Sequence, residues 1–325
     1  MKHLRKNRIS IDSRHVCLLA VFAAVMLAFV RMSLTPVALL QPTAYRISLW
    51  ITAAVLVVIL ALCVIKQRTT VAVDGVFSLS CAIGAAITGS SFLMFSIKAA
   101  LNWQRQVGVM PFPSKSNPTA ADQLFFHLLV IFGILAGVFF IALAVCWLLS
   151  GYTRRGILPL LCVTPVVWSW VRIIRYITSY ASLVGLFHNL YDLATVLCEM
   201  VFFLLLTRYV SGESRKSRFF TGVALCTGVL CVISCVTQVG LFLRQDAASF
   251  ETCALVTAPD FGVALFAFAV ALAQSYATAV DEERLEQEAQ PVPEQRSEED
   301  EEDGEGAEFL ISETWFAMSE TDKTE

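Results

Sequence analysis

Eight stretches of about 20 mostly apolar residues, joined by polar links, constrain this chain more than any other feature of its sequence. A bilayer's hydrocarbon core is about 30 Å thick and a helix rises about 1.5 Å per residue, so each stretch can cross it. Lipid offers no hydrogen-bond partner, so every backbone amide must be satisfied within its own segment, which makes these stretches helices. They run approximately from Val16 to Leu34, Ile47 to Ile65, Val71 to Ile97, Leu124 to Leu149, Ile157 to Ile177, Leu183 to Leu206, Phe219 to Phe242, and Pro259 to Ala279. Composition agrees: 57% of residues are hydrophobic and 16% charged, where soluble domains carry about 25% charged. The expected fold is an all-α polytopic membrane bundle of about eight transmembrane helices, residues 16–280. A basic N-terminus, 1–15, precedes it, and a disordered acidic tail, 281–325, follows. Lys2, Arg5, Lys6 and Arg8 before the first stretch suggest a secretory signal, but no small-x-small cleavage site follows Ala28, so a retained helix is expected.

The net charge of −3 conceals two opposite halves. Residues 281–325 hold eighteen acidic and three basic residues, a charge of −15, which leaves +12 on residues 1–280. Lys and Arg near span ends stay cytoplasmic. With the N-terminus inside, segments 1–15, 66–70, 150–156 and 207–218 carry thirteen Lys and Arg in thirty-nine residues, against five in fifty-nine for the alternate links. The expected location is therefore the plasma membrane, multi-pass, with both termini cytoplasmic.

Soluble-enzyme signatures are missing. The chain has no HExxH, GxxxxGK[ST], GxSxG or Rossmann glycine pattern, and Asn117 is followed by Pro118, which voids that sequon. Nine of the ten cysteines fall within the stretches and form no disulfide framework; Cys231 and Cys235 share a helix face but read as small packing residues. No catalytic residue, metal site, cofactor or nucleic-acid partner is expected. Gly133 and Gly137 form a small-x-x-x-small pair that permits close approach of a neighbouring helix.

Ionisable groups concentrate on the fifth and sixth stretches. At about 100° per residue, His188, Asp192, Thr195 and Glu199 share an arc of about 60°. Ser169, Arg172, Arg175, Tyr176 and Ser179 share about 120° of the preceding stretch, and the short link makes the two helices antiparallel neighbours. Arg172 and His188 would lie about 8 Å deep and Asp192 about 14 Å, so Arg172 is expected to reach Asp192 or lie beside His188. Buried charges cost about 2.5–3.5 kcal/mol each on insertion scales, and such groups face the bundle or a wet cavity and pair. Two uses follow: a solute or proton site, or an ion pair fixing helix docking. Glu199 is too deep for its short side chain to reach water, so it is expected to be protonated or paired. Asp260, with Thr257 and Pro259, reads as the capped first turn of the last stretch rather than a membrane-buried acid.

The run LPLLCVTPVVWSWVRIIRYITSYASLVGLFHNLYDLATVL, Leu158 to Leu197, and the basic link RYVSGESRKSRFF, Arg208 to Phe220, resemble uncharacterised multi-span integral membrane proteins of anaerobic Gram-positive bacteria. The resemblance implies a bacterial plasma membrane and an eight-helix layout, and it brings no activity or catalytic residue with it.

From Asp281 to Glu308 the chain is too rich in Glu, Asp, Gln and Pro to offset the entropy of ordering. Beyond it, Phe309, Leu310, Ile311, Trp315, Phe316 and Met318 stand among Ser, Glu and Thr, a pattern that can fold as a helix into a partner's groove. The expected function is a non-enzymatic membrane anchor or sensor. Its partners would be the lipid bilayer and a cytosolic protein held by the tail. The alternative is a small secondary transporter, proton- or ion-coupled, that moves a small solute along the polar face of the fifth and sixth stretches.

Overall fold

The computed structural model of the protein describes residues 13–34, 42–66, 79–101, 120–149, 158–179, 190–211, 218–242 and 258–274. His188, the links and the tail motif from Phe309 to Met318 lie outside them. Among the described residues all regular structure is helical: α1 (Ser13–Leu34), α2 (Pro42–Lys66), α3 (Leu79–Leu101), α4 (Ala120–Leu148), α5 (Leu158–Leu161), α6 (Val163–Ser179), α7 (Leu190–Val210), α8 (Arg218–Phe242) and α9 (Ala258–Gln274). Taking α5 and α6 together, seven segments are long and apolar enough to cross a membrane, as a multi-pass membrane protein requires. The last expected span is described over 17 residues, about 25 Å of helix.

Burial sorts the helices. Of the α8 span 83% is buried, against 22% of the α2 span, so α8 is central and α2 peripheral. Outward faces remain apolar, with Leu18, Phe22, Trp50, Val57, Leu160 and Trp170 exposed, as suits contact with lipid rather than water. Contacts near the helix ends fix the directions: α1 and α8 run parallel, and α8 and α9 run antiparallel. Gly240 of α8 meets Met32 at the end of α1, while Thr221 at the start of α8 bonds Gln274 at the end of α9.

Lipid supplies no hydrophobic drive between helices, so close packing and hydrogen bonds must hold them. Gly133 and Gly137 seat α4 directly on α3: a Cβ on Gly137 would come within 3.0 Å of the Gly89 carbonyl, and one on Gly133 would overlap Ser96. Behind this contact Phe140 and Phe202 pack edge-on against Phe266 of α9, with ring centroids 5.3 and 5.9 Å apart. Threonines hide their hydroxyls by donating to the carbonyl four residues back, as Thr88, Thr195 and Thr237 do. Thr88 also donates to Gly262 O at 2.8 Å, tying α3 to α9.

The fifth stretch, expected as one helix, is interrupted at Cys162. Pro165 has no N–H for the Leu161 carbonyl, which instead accepts from the Thr164 hydroxyl at 2.7 Å. The Cys162 carbonyl accepts from Thr207 of α7 at 3.2 Å.

Candidate functional site

Helix α7 carries two carboxylates, Asp192 and Glu199, seven residues apart and therefore about 10 Å apart along one face. Each meets an arginine from a different helix. The result is two charge clusters toward the end of the bundle where α1, α6 and α8 finish and α2, α7 and α9 begin.

The first cluster joins α1, α2, α7 and α8. Asp192 Oδ1 accepts from Ser234 at 2.8 Å and from Arg31 Nη2 at 3.4 Å. The Arg31 guanidinium lies 4.1 Å from the centroid of the Tyr191 ring, a cation–π contact. Tyr191 Oη in turn lies 2.9 Å from Thr52 Oγ1 and 3.4 Å from Ser48 Oγ. Asp192 stands in the first turn of α7, where the positive end of the helix dipole also favours its charge.

The second cluster joins α6, α7, α8 and α9. Arg172 grips Asp260 with both terminal nitrogens, at 2.6 and 3.0 Å. Its Nη1 also donates to Glu199 Oε2 at 3.1 Å. The Cys231 thiol donates to Glu199 Oε1 at 3.3 Å, and Arg172 stacks 4.5 Å from the Trp168 ring centroid. Glu199 is wholly buried and Asp260 is 4% exposed. Arg31 balances Asp192, whereas Arg172 faces two acids.

Arg172 bonds Asp260 and Glu199, while Asp192 bonds Arg31; the alternative place of Arg172 beside His188 lies outside the described residues. α7 is described from Leu190, with Asp192 in its first turn. Glu199, nine residues in, reaches the depth of Arg172, which stands seven residues before the end of α6. Asp260 occupies the first turn of its helix, as expected, and is buried within the bundle, where Arg172 supplies the countercharge that makes burial tolerable.

Of the other expected members, Thr195 is buried and bonds only its own helix among the contacts described, and Arg175 is buried one turn beyond Arg172. The side chain of Tyr176 and all of His188 fall outside the described residues. Cys231 is more than a packing residue: the carboxylate absent from its own helix comes from α7. Sequence reasoning did not single out Arg31, Tyr191, Ser234 or Trp168 for this site. For Arg31 a signal existed, since a cation inside an apolar stretch needs a partner.

The arrangement can lock six helices together through charge and hydrogen bonds, and it can hold or release a proton. Comparison with family models, with curated proteins and with solved structures finds no match to this chain.

Proposed function

We propose that this multi-pass membrane protein is a non-enzymatic anchor or sensor of the plasma membrane, whose acidic tail binds a cytosolic partner. The observation that carries this reading is the commitment of Asp192, Glu199 and Asp260, each bonded to an arginine of another helix. Groups so engaged set helix docking, and a docked bundle is a platform for display. The basic bias of alternate links supports both termini in the cytosol, which puts the tail where a soluble partner can reach it. The test compares the full chain in nanodiscs with one ending at Val280. A cytosolic protein retained by the first, lost by the second and displaced by a peptide of residues 309–318 is expected; identical retention by both refutes the tail's role.

A second reading, a proton- or ion-coupled secondary transporter for a small solute, is favoured by one feature: two buried carboxylates sharing one guanidinium. Solute flux into proteoliposomes that depends on a pH gradient and vanishes in Asp192→Asn and Glu199→Gln would establish it over the first.

A further inference from the structure

We infer that Glu199, Asp260 and Arg172 form a single-proton centre inside the membrane, in which Glu199 carries the proton while Arg172 remains clamped on ionised Asp260. The argument begins with counting. One guanidinium can offset one carboxylate; a second, buried in a medium of low dielectric, leaves the trio at −1 unless a proton joins it.

Geometry assigns the proton. Both terminal nitrogens of Arg172 serve Asp260, the paired arrangement that best matches an ionised carboxylate. Glu199 receives a share of Nη1 alone. Moreover, one nitrogen, Arg172 Nη1, lies 3.1 Å from Glu199 Oε2 and 2.6 Å from Asp260 Oδ1, so the two carboxyl groups are close neighbours. Two ionised carboxylates are acceptors only and repel, whereas a protonated one can donate to its neighbour.

Among the described residues, Arg172 is the basic group bonded to these two acids. From α6 the ionisable group acting on Glu199 is Arg172, from α8 it is Cys231, and from α9 it is Asp260. Cys198 adjoins Glu199 on α7, and Cys235 lies one turn beyond Cys231 on α8. Arg175 stands one turn from Arg172 on the same helix and is buried. Asp192 and Arg31, about 10 Å away along α7, balance each other.

Protonated, the centre is neutral and donates one hydrogen bond between α7 and α9. Deprotonated, it sets two like charges against one another across the same contact. The ligand is thus the proton, and its binding biases how α7 docks on α9. This inference does not depend on the tail having a partner, and it stands whether the bundle senses or transports.

The test is infrared titration of the full chain in nanodiscs. At neutral pH the unsubstituted chain should show the carbonyl stretch of a protonated carboxylic acid in an apolar setting, lost on alkalinisation. Glu199→Gln should abolish it. Asp260→Asn should abolish it too, because Arg172 is then free to pair fully with an ionised Glu199, while Asp192→Asn should leave it unchanged. Absence of the band at every pH, or its survival in Glu199→Gln or in Asp260→Asn, overturns the inference. Carbon-13 NMR of the unsubstituted chain labelled at glutamate reads the same proton without any substitution. Glu199 is the one glutamate in the expected spans, and a buried glutamate with an ionised carboxyl shift at neutral pH would equally refute the centre.

Discussion

Two clusters on one helix, built from the same residue types, solve burial differently. At Asp192 one arginine meets one acid, and the remaining demand falls on neutral groups: the Ser234 hydroxyl, the Tyr191 ring, and the hydroxyls of Thr52 and Ser48 beyond it. Deeper, at Glu199, one arginine meets two acids, with a thiol and an indole as its neutral company. Ionic contacts follow the same contrast, 3.4 Å for Arg31 with Asp192 and 2.6 Å for Arg172 with Asp260. The upper cluster can lose its ion pair and still have hydrogen bonds and a helix dipole to stabilise Asp192. The lower one has the start of α9 for Asp260 and a weak thiol donor for Glu199, but two acids share its single cation, so charge weighs more in its state.

The largest effect should come from Arg172→Gln. It strands the ionised Asp260 beside Glu199 and should destabilise the bundle by about 3–5 kcal/mol, read as a fall in unfolding midpoint in nanodiscs. Adding Asp260→Asn to that variant should restore part of the loss, because no ionised carboxylate is then left unpaired in this cluster. Arg31→Gln should cost less, about 1–3 kcal/mol, since Asp192 keeps Ser234 and the start of α7. Equal losses in the two arginine variants would erase the distinction between the clusters. Smaller again is Glu199→Gln, at under about 1 kcal/mol, because an amide keeps an acceptor for Arg172 and is neutral like the protonated acid.

Much of this was readable in advance, and the reason differs by element. The spans were legible because the hydrocarbon core demands uninterrupted apolar length, a signal that survives without knowledge of neighbours. Gly133 and Gly137 were legible for a similar local reason, and a Cβ at either would intrude on α3. Relative depth was less so: that Glu199 is level with Arg172 follows from how α6 and α7 are set against each other, which neither helix reports alone. Partner choice was not legible at all. Arg31 and Asp192 are separated by 161 residues and Arg172 and Asp260 by 88, and no periodicity along one helix reports which other helix lies against it. Asp260 shows the limit most clearly. Its position in the first turn of α9 was expected from the Pro and Thr before it, yet a first-turn acid is exposed or buried according to what the next helix offers.

The finest probe of the contrast is Thr52→Val. Valine keeps the shape of threonine and removes the hydroxyl that lies 2.9 Å from Tyr191 Oη, while the Ser48 carbonyl loses only an extra donor because it is already part of the α2 ladder. Interhelical hydrogen bonds in membranes are worth about 0.6 kcal/mol on average, so the unfolding midpoint should fall by correspondingly little. Combined with Arg31→Gln, the two losses test what the tyrosine does. If Tyr191 is a platform oriented by Thr52 for the Arg31 guanidinium, the double variant should lose less than the sum of the singles, since the platform has no purpose once the cation is gone. Strict additivity would mean that Thr52 ties α2 to α7 on its own account, and the upper cluster would then consist of an ion pair and an unrelated hydrogen bond that happen to share a helix turn.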